Sequence, residues 1–290
     1  MACVLGLLGG CAVTPAGVDK DLVDDWGRLA EAKVPEPAAG DCWTSDLGQL
    51  DDVLAAPGRV LQGPCDFSHA FETVHVGHFT GTAASGGVPP SRDEMADAYA
   101  ECDAKAKEFL GGAWQTGRLH LLLAAPSSAQ WAGGARFYRC DVGALRTEAG
   151  YLEPRKETLK GGLAAGSPLL LGCGNQVAAA KNEWSDITPS ACTSAHDTEF
   201  VGVVTAKTPT YPADDKAFQA AFDDPCEAAL LAYTGMSPGQ FAKELNLNFG
   251  YWSTGGQQEW KGGNHTARCY AMIDKKKLSR SVKGNGNADI

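Results

Sequence analysis

The sequence predicts an α+β protein: two tandem disulfide-stapled domains, each a small antiparallel sheet with one main helix. Three observations predict it. Eight of the ten cysteines fall into two runs of four, Cys42, Cys65, Cys102 and Cys140, then Cys173, Cys192, Cys226 and Cys269. Each run carries the same two motifs in the same order. C-x3-H-x2-E spans Cys65 to Glu72 and again Cys192 to Glu199, and W-x-G-G-x4-R-C spans Trp131 to Cys140 and again Trp260 to Cys269. Between the motifs, apolar alternation and helical periodicity follow one another identically in both halves. Two motifs recurring in one order indicate an internal duplication.

The 290 residues suit two domains of roughly 120 residues each, and a hydrophobic content of 44% is enough for a packed core in both. The 35 glycines and 15 prolines favour turns and short strands over long helices. A net charge of −10 argues against a nucleic-acid partner, whose phosphates call for a basic surface. Cytosolic thiols stay reduced, so this cysteine load points to an oxidising compartment. No two of the eight form the close C-x2-C pairs typical of zinc sites, so disulfides are expected.

Residues 1–11 read as an export signal. Val4-Leu5-Gly6-Leu7-Leu8 is a short apolar core, and Leu8-Gly9-Gly10-Cys11 resembles a bacterial lipobox, whose cysteine becomes the lipid-modified first residue of the mature protein. No Lys or Arg precedes the run, a departure that leaves either an upstream start or an accidental match. Lipidation of Cys11 would hold the chain on the outer face of the plasma membrane. Residues 12–38 have no counterpart in the second half. Leu22, Val23, Trp26, Leu29 and Ala30 recur at helical spacing, and Val34-Pro35-Glu36-Pro37 breaks the pattern as a linker.

The first domain is expected over 39–163. Val60-Leu61 leads into Pro64-Cys65, and Phe71 to Val76 alternates as a strand. Residues 81–90 read as a Gly/Ser/Pro-rich loop. Met95, Ala98, Tyr99, Cys102, Ala106 and Leu110 share one helix face, which buries Cys102. Leu119 to Ala124 and Ala135 to Cys140 read as strands, with Trp131 in the turn between them. The second domain, over 168–286, repeats this order. Glu199 to Val204 is a strand, Phe218 to Tyr233 a helix carrying Cys226, and Ala267 to Ile273 the closing strand. After each closing strand comes a Ser/Thr-aliphatic-Lys-Gly element: Thr158-Leu159-Lys160-Gly161, then Ser281-Val282-Lys283-Gly284.

Four cysteines allow three pairings per domain. The order of elements favours Cys42–Cys65, Cys102–Cys140, Cys173–Cys192 and Cys226–Cys269, without excluding the others.

These residues resemble the actinobacterial septum formation-related domain. Its pattern is Gly-Asp-Cys, then Pro-Cys followed by a His and an acid, a helix with a third Cys, and Trp-x-Gly with Arg before a fourth Cys. Gly40-Asp41-Cys42, Pro64-Cys65, His69, Glu72, Cys102, Trp131, Gly133, Arg139 and Cys140 match in the first half. Gly172-Cys173, Cys192, His196, Glu199, Cys226, Trp260, Gly262, Arg268 and Cys269 match in the second. The second half departs in two places: Gly172 lacks a following Asp, and Ala191 stands where Pro precedes the second Cys. The resemblance implies a cell-surface role in division or envelope maintenance, and no reaction.

The chain lacks H-E-x-x-H, G-x-S-x-G and the P-loop lysine motif. The residues with chemical potential are the duplicated His69, Glu72 and Arg139, and His196, Glu199 and Arg268. Each His/Glu pair could face one ligand, but two groups are too few for a tight metal site, so neither metal nor cofactor is expected. The bland expectation is that the imidazoles cap turns, the arginines pair with internal acids and the tryptophans pack over the sheet ends. His75, His78 and His120 occur only in the first half. The reading is a non-catalytic binding or scaffolding lipoprotein of the cell envelope, whose partner is an envelope protein or polymer. The alternative is a secreted hydrolase with its site in the cleft between the domains, which would show a deep polar pocket with perturbed acids or histidines.

Overall fold

The computed structural model describes residues 33–178 and 184–285. The lipobox Cys11 and the helix expected around Trp26 lie outside the described residues. Residues 34–290 form one compact unit.

In the first repeat the elements are β1 (Cys42–Ser45), α1 (Leu50–Ala55), β2 (Val60–Gly63), β3 (Phe71–His78), α2 (Gly81–Ser85), α3 (Ala96–Leu110), β4 (Leu119–Ala124), α4 (Ser128–Ala132) and β5 (Phe137–Ala144). The second repeat supplies β6 (Cys173–Ala178), β7 (Trp184–Pro189), β8 (Thr198–Thr205), α5 (Asp215–Thr234), α6 (Pro238–Phe241), β9 (Leu247–Ser253), α7 (Gln257–Lys261) and β10 (Thr266–Ile273). The two five-stranded sheets run β2-β1-β3-β5-β4 and β7-β6-β8-β10-β9, the same order element for element. Every pairing is antiparallel. The duplication seen in the motifs is therefore a duplication of topology.

In each sheet the main helix crosses from one strand to another that lies two places away. α3 links β3 to β4 and packs on β3, β5 and β4; α5 links β8 to β9 and packs on β8, β10 and β9. Helical periodicity sets the buried face. Ala98, Tyr99, Cys102, Ala106 and Leu110 point inward from α3, and Phe222, Cys226, Leu230 and Thr234 from α5. Both helices end on a left-handed glycine, Gly111 at φ 76° and Gly235 at φ 74°, a conformation a Cβ would strain. Gly77 on β3 is needed for a different reason: a Cβ there would run into the ring of Tyr138.

Four disulfides have the pairing that the order of elements favours. Cys42–Cys65 and Cys173–Cys192 tie the first strand of each sheet to the segment entering the His motif. Cys102–Cys140 and Cys226–Cys269 tie the main helix to the strand beside the central one, β5 or β10, with Cα atoms 5.1 and 5.5 Å apart. Three local expectations are refined. Trp131 lies in α4 rather than in an open turn, because Ser127 and Gln130 form a reciprocal capping box. The loop over 81–90 contains the single-turn α2. The main helix of the second repeat begins earlier, at Asp215, where the Asp214 side chain accepts from Ala217 N. Trp131 and Trp260 are both 1% exposed.

The helix-to-sheet disulfides hold the two layers of each repeat together. Replacing Cys102 and Cys140 together by Ser is expected to cost about 2–4 kcal/mol, read as a lower urea midpoint at unchanged slope. The same replacement at Cys226 and Cys269 should give a loss of similar size.

Candidate functional site

The repeated C-x3-H-x2-E motif sits where each repeat is closed by its own tail. In each copy the histidine backbone makes a two-way bridge with the segment that follows the closing strand. His69 pairs N to O and O to N with Arg155, and His196 does the same with Leu278, at 2.8–2.9 Å. The rings turn back onto their own loop: His69 Nδ1 lies 3.0 Å from Phe67 O, and His196 Nδ1 lies 2.8 Å from Ser194 O. Three residues on, the glutamate captures the Ser/Thr-aliphatic-Lys-Gly element. Thr158 Oγ1 donates to Glu72 Oε1 at 2.7 Å, and Leu159 N donates to Oε2 at 2.9 Å. Ser281 Oγ donates to Glu199 Oε2 at 2.6 Å, and Val282 N donates to Oε1 at 2.8 Å.

Each residue of the captured element then has a role. The hydroxyl and the following amide satisfy a buried carboxylate that would be costly to leave bare. The aliphatic residue plugs the core, Leu159 at 3% and Val282 at 1% exposure. The glycines Gly161 and Gly284 both take φ +66°. The second copy is more fully tied. His196 Nε2 lies 3.0 Å from Glu199 Oε1, and Tyr233 OH donates to Oε2 at 2.9 Å. Burial beside Glu199 pushes the Tyr233 hydroxyl up to about 12.

Among the described residues, Cys173, His196 and Glu199 bring candidate ligand atoms within 4.8 Å of one another. They do not fit a metal. Cys173 Sγ is bonded to Cys192, and the imidazole and carboxylate already have partners. A structural zinc site would need free thiolate and imidazole donors.

The two arginines have diverged. In the first repeat Arg139 Nε donates to Asp141 Oδ2 at 2.7 Å, and its guanidinium lies 3.4 Å over the Trp43 ring. Trp43 Nε1 donates to Thr73 Oγ1, which donates to Asp141 Oδ1, both at 2.7 Å. Complete burial pushes the Asp141 carboxyl upward, against the opposing pull of Arg139 and Thr73. At the equivalent places the second repeat has Gly174, Phe200 and Tyr270. The polar network is replaced there by a T-shaped Phe200–Tyr270 pair with centroids 5.8 Å apart.

Arg268 therefore has no acid two residues on. It reaches instead into the first repeat, donating to Glu148 Oε2 at 2.8 Å and to the carbonyls of Gln115, Gly117 and Leu119 at 2.8–2.9 Å. Arg268 and Glu148 are nearly inaccessible, at 3% and 2% side-chain exposure. Asp186 on β7 adds a second tie by accepting from Ala149 N at 2.8 Å. A seam thus joins the repeats, made by the duplicated motif arginine of the second repeat and by residues without a counterpart in the other half.

Along the seam lies a pocket of about 250 Å³ lined by both repeats, with Trp114, His120 and Glu148 on one side and Trp252, Glu259 and Arg268 on the other. His120 is 4% exposed, and its ring meets Trp114 edge-on at 5.6 Å. Burial, with Arg268 nearby, pushes the imidazole down to about 3. His75 and His78, also confined to the first repeat, point elsewhere: His75 Nε2 to Glu101 at 2.8 Å, and His78 Nε2 to Glu36 at 2.9 Å. Nothing in the sequence marked Glu148, Trp114 or Trp252 as members of a site, because their shared feature is a position between the repeats. Their only local hint is the absence of a repeat partner.

Two outcomes are expected at the seam. Arg268→Ala strands the buried Glu148 carboxylate and takes a donor from three carbonyls, so stability should fall by about 3–5 kcal/mol, measured by urea unfolding. His120 is buried as a neutral ring, while the unfolded chain takes up a proton near 6.5. The unfolded state then binds more protons below that value. Stability should fall as pH drops from about 6.5 toward 3, by about 1.4 kcal/mol per unit. His120→Phe should flatten this slope relative to the parent chain, read from urea midpoints at successive pH values.

Comparison with known proteins gives one match. Residues 39–269, a stretch that runs through both repeats, match the septum formation family. No curated protein and no solved structure matches the chain. The matched stretch holds the four disulfides, the histidine motifs, both motif arginines and the seam between the repeats, and the chain belongs to the septum formation family.

Proposed function

We propose that the chain is a non-catalytic binding or scaffolding lipoprotein, anchored through Cys11 to the outer face of the plasma membrane, that serves septum formation in the cell envelope. One observation carries the non-catalytic part. The six polar residues that stand out in the repeated motifs, His69, Glu72, Arg139, His196, Glu199 and Arg268, all make internal bonds. Their duplication is accounted for by the needs of one fold built twice. The disulfides support export to an oxidising compartment, family membership supports the septal link, and Leu8-Gly9-Gly10-Cys11 supports the anchor. Among the described residues no helix is long and apolar enough to cross a membrane.

The hydrolase alternative would place its site at the seam pocket. His120, with its ring at about 3, is a weak base for abstracting a proton near neutrality, and Glu148 is engaged by Arg268. This chemistry favours holding a ligand over moving protons. The partner is an envelope protein or polymer. The exposed Lys275 and Lys276 next to Lys277 offer a surface suited to an anionic one.

The test is a fluorescent fusion of the full chain in dividing cells of the native host. Fluorescence is expected in the membrane fraction and enriched at division sites. Cys11→Ser should shift it to the soluble fraction, since acyl chains supply the anchoring energy. A parent chain already soluble in the medium would end the anchor reading, and uniform distribution through division would end the septal one.

A further inference from the structure

We propose that the pocket at the seam between the repeats is a binding site for a primary ammonium group carried on a short alkyl chain. This goes beyond the scaffolding reading and stands or falls separately from it.

Asp51, Glu148 and Glu259 line the pocket, three carboxylates against the single guanidinium of Arg268. That guanidinium is turned to Glu148 and to three carbonyls of the first repeat. The pocket therefore presents net negative charge without a free cation of its own. Its walls include two indoles, Trp114 and Trp252. The Trp114 ring is buried with the Arg268 guanidinium 5.9 Å from its centroid, whereas the half-buried Trp252 has a face that attracts an ammonium group and packs its methylenes.

His120 points to a ligand independently of this charge. It lines the same pocket, is only 4% exposed, and its Nε2 has no hydrogen-bond partner. Buried polar atoms are almost always bonded, so an orphan at a cavity wall marks a place where something else supplies the partner. A neutral imidazole nitrogen accepts a bond from an ammonium N–H, as a carboxylate does.

Size sets the ligand. About 250 Å³ lies below the usual range for drug-sized ligands and suits a single alkylammonium arm. Both sources of that chemistry, a free small amine and a lysine-type side chain of an envelope peptide, would present the same group.

The experiment is calorimetric titration of the full chain with pentylamine, with Nα-acetyl-lysine methylamide and with 1-pentanol. Saturable heat is expected from at least one ammonium probe and none from the alcohol. Binding of the lysine amide identifies a side chain as the source, and binding of pentylamine alone identifies a free amine. Glu259→Gln combined with Asp51→Asn should weaken binding by about ten-fold or more, and the introduced amide can still cap α7 through its carbonyl. A second variant, Trp252→Leu, removes one indole should the first lose its fold, and should weaken binding too. No saturable heat from either ammonium probe at millimolar concentration overturns the proposal. Equal binding of 1-pentanol, or affinity unchanged in folded variants, overturns it as well.

Discussion

A carboxylate that is buried must be given donors, and in this protein that requirement directs the path of the chain. Glu72 draws Thr158 and Leu159 onto the first sheet. The residues that follow are held in turn: Gly161 N bonds Phe109 O and Leu163 N bonds Leu110 O, at the end of α3. The linker then runs beside the first repeat, where Arg118 N bonds Leu169 O and Leu171 N bonds Thr116 O. Phe200 N bonds Gly172 O as the second sheet begins. Glu199 repeats the device on Ser281 and Val282 at the far end. One interaction thus closes each repeat, and the first instance also delivers the second repeat to its place.

The two copies differ on one sheet face. In the first repeat Trp43, Thr73, Asp141 and Arg139 form a closed polar network on the sheet face away from the main helix. Gly174, Phe200 and Tyr270 occupy the same places in the second. With Tyr270 in the acid's position, the retained arginine would be buried without a counter-charge, a state that costs several kcal/mol. Glu148 supplies that charge from the other repeat. The Arg268–Glu148 pair thus takes the place of an acid within the second repeat, and it binds the two repeats into one compact unit rather than two beads on a linker.

This division of labour bears on function. The recurring His and Glu residues work on the fold of each repeat, and the recurring arginine does so in the first repeat and joins the two in the second. His120, Glu148, Trp114, Trp252 and Glu259 come together only at the seam.

Much of this architecture was legible in the chain. The long helices around Cys102 and Cys226 and the strands over Phe71–His78, Leu119–Ala124 and Thr266–Ile273 follow from periodicity, and the order of these elements favoured the cysteine pairing that the fold has. Strands β7 and β9 were not, because they are sheet edges whose half-exposed residues blur the alternation, and β9 carries Asn248 and Gly250 within it. The single-turn helices were too short to show a period. The sequence by itself determined the duplication and the recurrence of an acid with a later Ser/Thr-aliphatic element, and it favoured one of three disulfide pairings in each half. Only the tertiary structure decided that this acid and this element bind each other, since 82 to 87 residues separate them. It also decided that Arg268 pairs with Glu148 across 120 residues. Local propensities act over one turn or one strand, whereas a buried charge selects its partner by proximity in the finished fold.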